Sequence, residues 1–335
     1  MHKHKQSQCK RKVKHRKNVM GLIIFCITVC IVFMFAYYQN LRKEISVRQE
    51  WLETVLTREK KWILENQGPE GEIYMNGSKA GDVNPYFACM AALGLLAETK
   101  NCPMTETEQK AVGRYLDWHT GVLLETDGKM GIYRKEGGEL IYKEKADSED
   151  GYLGMYLFLM GKYLEKTEST DLPESWKNGI SLALKKIQSL MRDGITQVSE
   201  ENITVYLMDN LEVWKGLHEL ELAGLEDTQA ISEMRKKIQA QIENIFWDDA
   251  NQRWRIIGNS DRYHQTEFYP DGVAQIYPLI YEFPVKEKKK QKVLYDQFTE
   301  RFQWQKLNKK RTGFLWAMTG MAAAQMRDIN NLVEL

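Results

Sequence analysis

Four short stretches of this chain combine carboxylates with amides, hydroxyls or rings where a helix begins: Asp82 and Asn84; Asp147, Ser148 and Asp150; Asp209, Asn210 and Glu212; and Tyr269 and Asp271. An Asp, Ser or Asn at a helix start satisfies orphan N–H groups and suits the helix dipole, which accounts for one such residue per helix. It does not account for all of them. Asp147-Ser148-Glu149-Asp150 offers several acceptors, and Asp209-Asn210 with Glu212 sits well inside its run. Carboxyl groups that converge on one depression have their pKa values pushed apart, which is what a general acid and a general base require. Tyr74, Tyr86, Tyr152, Tyr206, Trp214, Tyr269, Tyr277 and Trp316 accompany the acids. Most aromatics at helical spacing are packing residues, but rings at a mouth make platforms for sugars, whose hydroxyls suit Asp, Asn and Gln. The combination points to carbohydrate, with Tyr86, Asp147, Asp209, Asn210, Glu212, Tyr269 and Gln275 as binding residues.

Convergence requires a scaffold, and the helical periodicity supplies one. Two kinds of helix alternate after residue 40. Charge-rich segments run Lys43 to Asn66, Thr105 to Leu124, Glu174 to Met191, Asp227 to Trp247 and Val285 to Phe302. Between them lie apolar, small-residue-rich segments: Asn84 to Ala97, Gly151 to Leu164, Thr204 to Leu222, Asp271 to Tyr281 and Gly313 to Met326. A helix with one solvated face is an outer helix, and one apolar nearly all round must be enclosed. Outer then inner, five times over, predicts an all-α fold: an α/α toroid of five to six helical hairpins, with a superhelical solenoid as the alternative. In a toroid the inner helices share a direction, so their N-termini meet at one end. Met130 to Lys143 alternates around Gly137-Gly138 and predicts a β-hairpin, and Arg253 to Ile257 follows a turn at 248–251. Such small β excursions would build the rim of a pocket.

The domain boundaries come from the N-terminus. Residues 1–18 hold eight Lys or Arg and no acid, and Met20 to Tyr38 runs almost without a polar group. This predicts a basic cytoplasmic tail (1–18), one transmembrane signal anchor (19–38) and an extracellular domain (39–335) at the cell membrane. A cleaved signal peptide is the competing reading, but no small-x-small site follows the apolar run. Net charge is +1 over the chain, so removing the eight cations of the tail leaves about −7 outside the membrane. That argues against a nucleic-acid partner, since no surplus of cations is left for phosphates. Only Cys89 and Cys102 lie beyond the anchor; they could pair, but a buried free thiol is the expected state for Cys89 in its apolar run. No CxxC, HExxH or Cys/His ladder is present, so no metal site is indicated and no cofactor is expected.

Five segments carry a family resemblance: WILENQGPEGEIYMN (62 to 76), NPYFACMAALGLL (84 to 96), ADSEDGYLGMYL (146 to 157), YLMDNLEVWKGL (206 to 217) and FYPDGVAQIYPL (268 to 279). Together they resemble the six-hairpin glycosidase superfamily, being similar to membrane-anchored bacterial glycosyl hydrolases and, more distantly, to family-8 endoglucanases. The resemblance implies hydrolysis of a polysaccharide or oligosaccharide with inversion, by an acid and a base about 6.5 to 9.5 Å apart. It implies Asp150 as the inner-ring aspartate and Asp271 as the base. Family-8 enzymes place Glu-Gly before the first inner helix; here Glu70-Gly71 comes early and Asp82 stands in that place, so Glu70, Glu72 and Asp82 are all candidates for the acid. Related toroids include lyases and epimerases that use His or Tyr, for which His264 on a rim loop is the candidate; His119 and His218 lie within helices. A glycan-binding or assembly subunit beside a polysaccharide synthase or export machinery is the alternative function, and a toroid that docks another membrane protein is a third.

Overall fold

The structure is a computed structural model that describes residues 37–39, 42–43, 45–77, 81–137, 139–169, 171–225, 228–260, 267–286, 288–304 and 318–333. The chain divides into two units, Met1–Glu59 with Thr99–Cys102, and Lys60–Glu98 with Pro103–Leu335. In the smaller unit residues 45–59 of α1 (residues 45–65) present Ile45, Val47, Trp51 and Leu52 to solvent, and Asn101 Nδ2 donates to Glu53 Oε1 at 2.9 Å. Among the described residues no helix is long and apolar enough to cross a membrane. The tail and the expected anchor lie outside the described residues as far as residue 36.

The larger unit follows the alternation of the sequence. Apolar helices α2 (Pro85–Leu96), α4 (Glu149–Thr167), α6 (Leu207–Leu222), α8 (Val273–Ile280) and α10 (Thr319–Gln325) pack each on the next. Each of the first four is followed by a charged helix that covers it: α3 (Glu106–Glu125), α5 (Glu174–Leu190), α7 (Thr228–Phe246) and α9 (Lys288–Phe302); α11 (Ile329–Val333) packs on α10. This is the helical-hairpin architecture expected, and the first part of the last inner segment, 313–317 with Trp316, lies outside the described residues. The outer helices bury one stripe, as α5 does with Trp176, Ile180, Ala183, Ile187 and Leu190. By contrast, α4 buries every residue from Asp150 to Gly161. Cys89 and Cys102 are free thiols.

Local sequence sets the helix starts. Asn84 caps α2 by accepting from Tyr86 N, with Pro85 in the first turn, where its missing N–H costs nothing. Thr105 and Glu108 close a capping box on α3, and Ser148 caps α4 through Gly151 N. The inner helices come unusually close where glycines face each other. A β-carbon on Gly154 would lie 2.7 Å from Val213 N, and one on Gly216 would lie 2.3 Å from Gly154 O. No larger residue fits that α4–α6 seam, which fixes the start of α4 against the second turn of α6.

Among the described residues three small sheets interrupt the helices. β1 (Asp82–Val83), β2 (Gly131–Glu136) and β3 (Glu139–Lys145) form one antiparallel sheet in that order, with Asp82 opposite Arg134. The β2–β3 pair is the hairpin that the Gly137-Gly138 pattern predicts. β6 (Trp247–Asp248) pairs with β7 (Arg253–Trp254) around the expected turn. The two-residue strands β4 (Met191–Arg192) and β5 (Ile195–Thr196) are not visible in the sequence pattern.

Candidate functional site

The starts of α2, α4 and α6 and the turn Phe268–Gly272 before α8 surround a cavity of about 540 Å³. Asn84, Tyr86 and Phe87 line it from α2; Asp147, Ser148 and Tyr152 from α4; Met208, Asp209 and Glu212 from α6; Glu267, Phe268, Tyr269 and Tyr277 from the last segment. The separate turns expected to meet do meet. Of the sequence-expected binding residues, Tyr86, Asp147, Asp209, Glu212 and Tyr269 line this space.

Glu212 is the most constrained group in it. Its side chain is buried, and its Oε1 accepts from the hydroxyls of Tyr86, of Tyr277 at 2.7 Å and of Tyr281 at 3.4 Å. All three donors reach one oxygen. Oε2 therefore faces away from them, toward Gly151, where a β-carbon would stand 2.8 Å from it and 3.6 Å from Asp209 Oδ1. The two carboxyl groups thus both border the Gly151 position. Burial, against the opposing pull of the Tyr86 and Tyr277 hydroxyls, pushes Glu212 up to about 8, so the carboxyl carries its proton at neutral pH.

Asp209 sits beside it, one turn earlier. Its Oδ2 is sealed from solvent and has no hydrogen-bond partner among the described residues. Burial, then the nearby carboxylates of Asp150 and Glu212, hold its pKa well above the usual range. Asp147 and Glu267 are the exposed carboxyl groups of the rim, and Tyr269 offers a ring that is 48% exposed.

The residues expected to be catalytic are placed otherwise. Asp150 is fully buried behind the start of α4 and does not line the cavity: Oδ1 accepts from Ser148 Oγ at 2.8 Å and from Gly151 N at 3.0 Å, and Oδ2 from Thr196 Oγ1 at 2.7 Å. Burial raises it to about 6. Asp271 is buried under the turn, where its Oδ2 accepts from Glu267 N at 3.3 Å, and it borders a different cavity of about 320 Å³ with Arg253 and Gln275. Asp82 is drawn onto the sheet by Arg134 Nε at 2.6 Å and Lys143 Nζ at 2.7 Å, which hold its carboxyl down at about 2 and make it a poor proton donor. Glu72 is buried among Tyr74 OH at 2.7 Å, Glu70 N at 3.0 Å and Lys135 Nζ at 3.7 Å, while the Glu70 carboxylate points to solvent. None of the five lines the cavity.

Two expected binding residues are clamps instead. Asn210 ties α6 to β5, accepting from Thr196 N at 2.8 Å and donating to Thr196 O at 3.0 Å. Gln275 holds the Trp254 backbone through both ends of its amide, at 2.9 Å each. His264 lies outside the described residues. His119 is enclosed beside Tyr115 and Tyr156, and burial lowers it to about 3; His218 stacks on Trp214 at 5.2 Å.

No protein-family profile and no curated protein matches the chain. Its fold does match solved structures. A wild-type glycosidase superposes with a TM-score of 0.59 at 13% identity, over 84% of this chain and 81% of that one. A glycosidase variant in complex with glucose gives 0.58 at 12%, with the same coverage of 84% and 81%. A rhamnosidase from Klebsiella oxytoca with rhamnose bound gives 0.53 at 9%, over 81% of this chain and 52% of that one. At such identities the likeness establishes the fold shared with glycosidases, and the chemistry must be argued from the cavity.

Proposed function

We propose that this protein is a glycoside hydrolase, held at the outer face of the cell membrane by its apolar segment 19–38, that cuts a polysaccharide or oligosaccharide entering the cavity at the inner-helix N-termini. The observation that carries this reading is Glu212: a buried carboxyl bordering a sugar-sized space, one oxygen braced by three tyrosine hydroxyls. In the reaction Glu212 Oε2 gives its proton to the glycosidic oxygen as the C1–O bond breaks. The carboxylate left behind is stabilised by the hydroxyls of Tyr86, Tyr277 and Tyr281. Water then attacks C1 from the opposite face and loses its proton to a rim carboxylate, Asp147 or Glu267, which gives inversion. Tyr269 supplies the stacking platform. Asp150, rather than touching substrate, holds the start of α4 in place through Thr196 and Ser148.

The likeness to glycosidases in fold supports this class, and the resemblance to family-8 enzymes supports inversion. The test is reducing-end release by the full chain in detergent across a panel of polysaccharides. Release that vanishes in Glu212→Gln, in a variant that still melts cooperatively and no less stably than the wild type, supports the assignment. Tight binding of a glycan by the wild type with no release from any polymer of the panel would instead identify a glycan-binding subunit of a synthase or export assembly.

A further inference from the structure

We propose that the protein carries a second glycan site on its outer wall, a cavity of about 390 Å³ between α7, the β6–β7 turn and α9 that takes a neutral saccharide through two adjacent hydroxyls. The proposal rests on the glycan reading of the protein for its ligand class, and it adds a site that shares no residue with the cavity at the inner-helix starts. Its centre is Gln291 of α9. This side chain is 8% exposed and lines the cavity, and its amide makes no hydrogen bond among the described residues. Neither end of that amide is sealed off, in contrast to the indole N–H of Trp254, which lines the same cavity, so a ligand there can reach both ends. A buried amide without a partner costs stability and does nothing for the fold.

The groups around Gln291 decide the ligand's chemistry. Trp247 and Trp254 meet at 75° with ring centres 5.1 Å apart, and with Leu294 they make an apolar corner. The charges are matched within the wall. Lys286 engages both oxygens of Glu243, through its backbone N at 2.9 Å and its Nζ at 2.7 Å. Asp249 accepts from Trp247 Nε1 at 2.8 Å and stands 3.7 Å from Lys290 Nζ. Two acids and two bases cancel, so a charged ligand would have to displace an ion pair. A purely apolar ligand would leave the Gln291 amide unpaired. An amide offers an acceptor and an N–H donor side by side, which complements two hydroxyls on neighbouring carbons, one donating and one accepting. The C–H face of the same ring suits the indole corner, and Asn244 adds a second amide at the exposed edge.

The experiment uses the full chain in detergent with fluorinated tryptophan in place of tryptophan. Its fluorine resonances are followed during titration with cellotetraose, maltotetraose and mannotetraose, whose inner units keep two adjacent hydroxyls, and with a galacturonate tetramer as the charged control. Among the described residues no tryptophan lines the other cavity, so the Trp247 and Trp254 signals, assigned with Trp247→Phe and Trp254→Phe, report this site. The expected result is a saturable shift of either signal with at least one neutral oligomer and none with the uronate. Gln291→Met keeps the volume and removes the amide. It should weaken that binding by about tenfold or more, at a melting temperature equal to or above that of the wild type. Failure of all three neutral oligomers to shift either signal, an equal response to the uronate, a shift that survives Gln291→Met, or a variant that melts lower overturns the proposal. Reducing-end release by the wild type is scored separately. A shift with no release from any polymer keeps this site and sinks the hydrolase, whereas release with no shift sinks this site and keeps the hydrolase.

Discussion

Gly151 and Glu212 share one small volume: a β-carbon on Gly151 would stand 2.8 Å from Glu212 Oε2 and 2.9 Å from Ser148 Oγ. The absent side chain is the space in which the acid sits. Gly151→Ala keeps a good helix former in the first turns of α4, so the helix itself tolerates it. The methyl must nevertheless push the Glu212 carboxyl off its three hydroxyls or lift Ser148 from its cap. We expect kcat to fall by about a hundredfold, since small misplacements of a proton donor cost that much. Stability should fall by only about 1–3 kcal/mol. Reducing-end kinetics and a urea melt on the same preparation check both; unchanged kcat would detach Glu212 from the chemistry.

Glu212 also sets a pH dependence whose sign is fixed. Its pKa is raised from 4.5 to about 8 on folding, so its contribution to stability is full below the unfolded value and is lost as pH rises through about 8. Above that, folding carries a buried charge. Glu212→Gln removes the titration, so its melting temperature relative to the wild type should climb between mildly acidic and alkaline pH. The full span is on the order of a few kcal/mol, or roughly 5 °C. Activity should lose its alkaline limb over the same range, because only the protonated acid works. Parallel wild-type and variant melts across the range would refute this.

The alternation of charged and apolar helices was legible because burial on one face and burial all round leave different sequence patterns. The meeting of polar groups at inner-helix starts followed from direction alone. Which acids face the cavity was not legible. Asp150 and Asp209 both stand in first turns, but Asp150 turns back onto Thr196, and the strands β4 and β5 that place Thr196 are too short to show alternation. Asp82 is a candidate acid by its place before α2, but β1–β2 pairing sets Arg134 opposite it. Glu212 read as one acid among several because its tyrosine partners lie on α2 and α8, 126 and 65 residues away in the chain.

Thr196 tests the account of Asp150 as a support. Its hydroxyl donates to Asp150 Oδ2 at 2.7 Å, and that bond opposes the burial that raises the carboxyl to about 6. Thr196→Val keeps the shape and removes the donor. The buried oxygen then lacks a partner, at a cost of about 1–3 kcal/mol. Because the pKa rises further, the loss should be larger at pH values above 6 than below it. KM should move less than stability does. Urea titrations on either side of that pKa decide the matter, and a pH-independent loss would contradict it.

At the other end of α6 a buried ion network has nothing to do with the cavity, and it separates folding from activity. Lys215 Nζ is 2.7 Å from Glu219 Oε1 and 3.0 Å from Glu282 Oε2, while Lys162 Nζ reaches Glu219 Oε2 at 2.9 Å. Lys215 and Glu219 are both almost wholly buried, so each needs the other. Lys215→Ala strands the Glu219 carboxylate with Lys162 alone and should cost about 3–5 kcal/mol. Replacing the pair together, Lys215→Met with Glu219→Leu, removes both charges at similar volume. Stability should then return to within about 1–2 kcal/mol of the wild type, because a buried pair and a well-packed apolar pair are often equivalent. Neither variant should change kcat for the folded fraction. A double variant no more stable than Lys215→Ala would mean that the network is needed for packing at the α4–α6 seam and not only for charge balance.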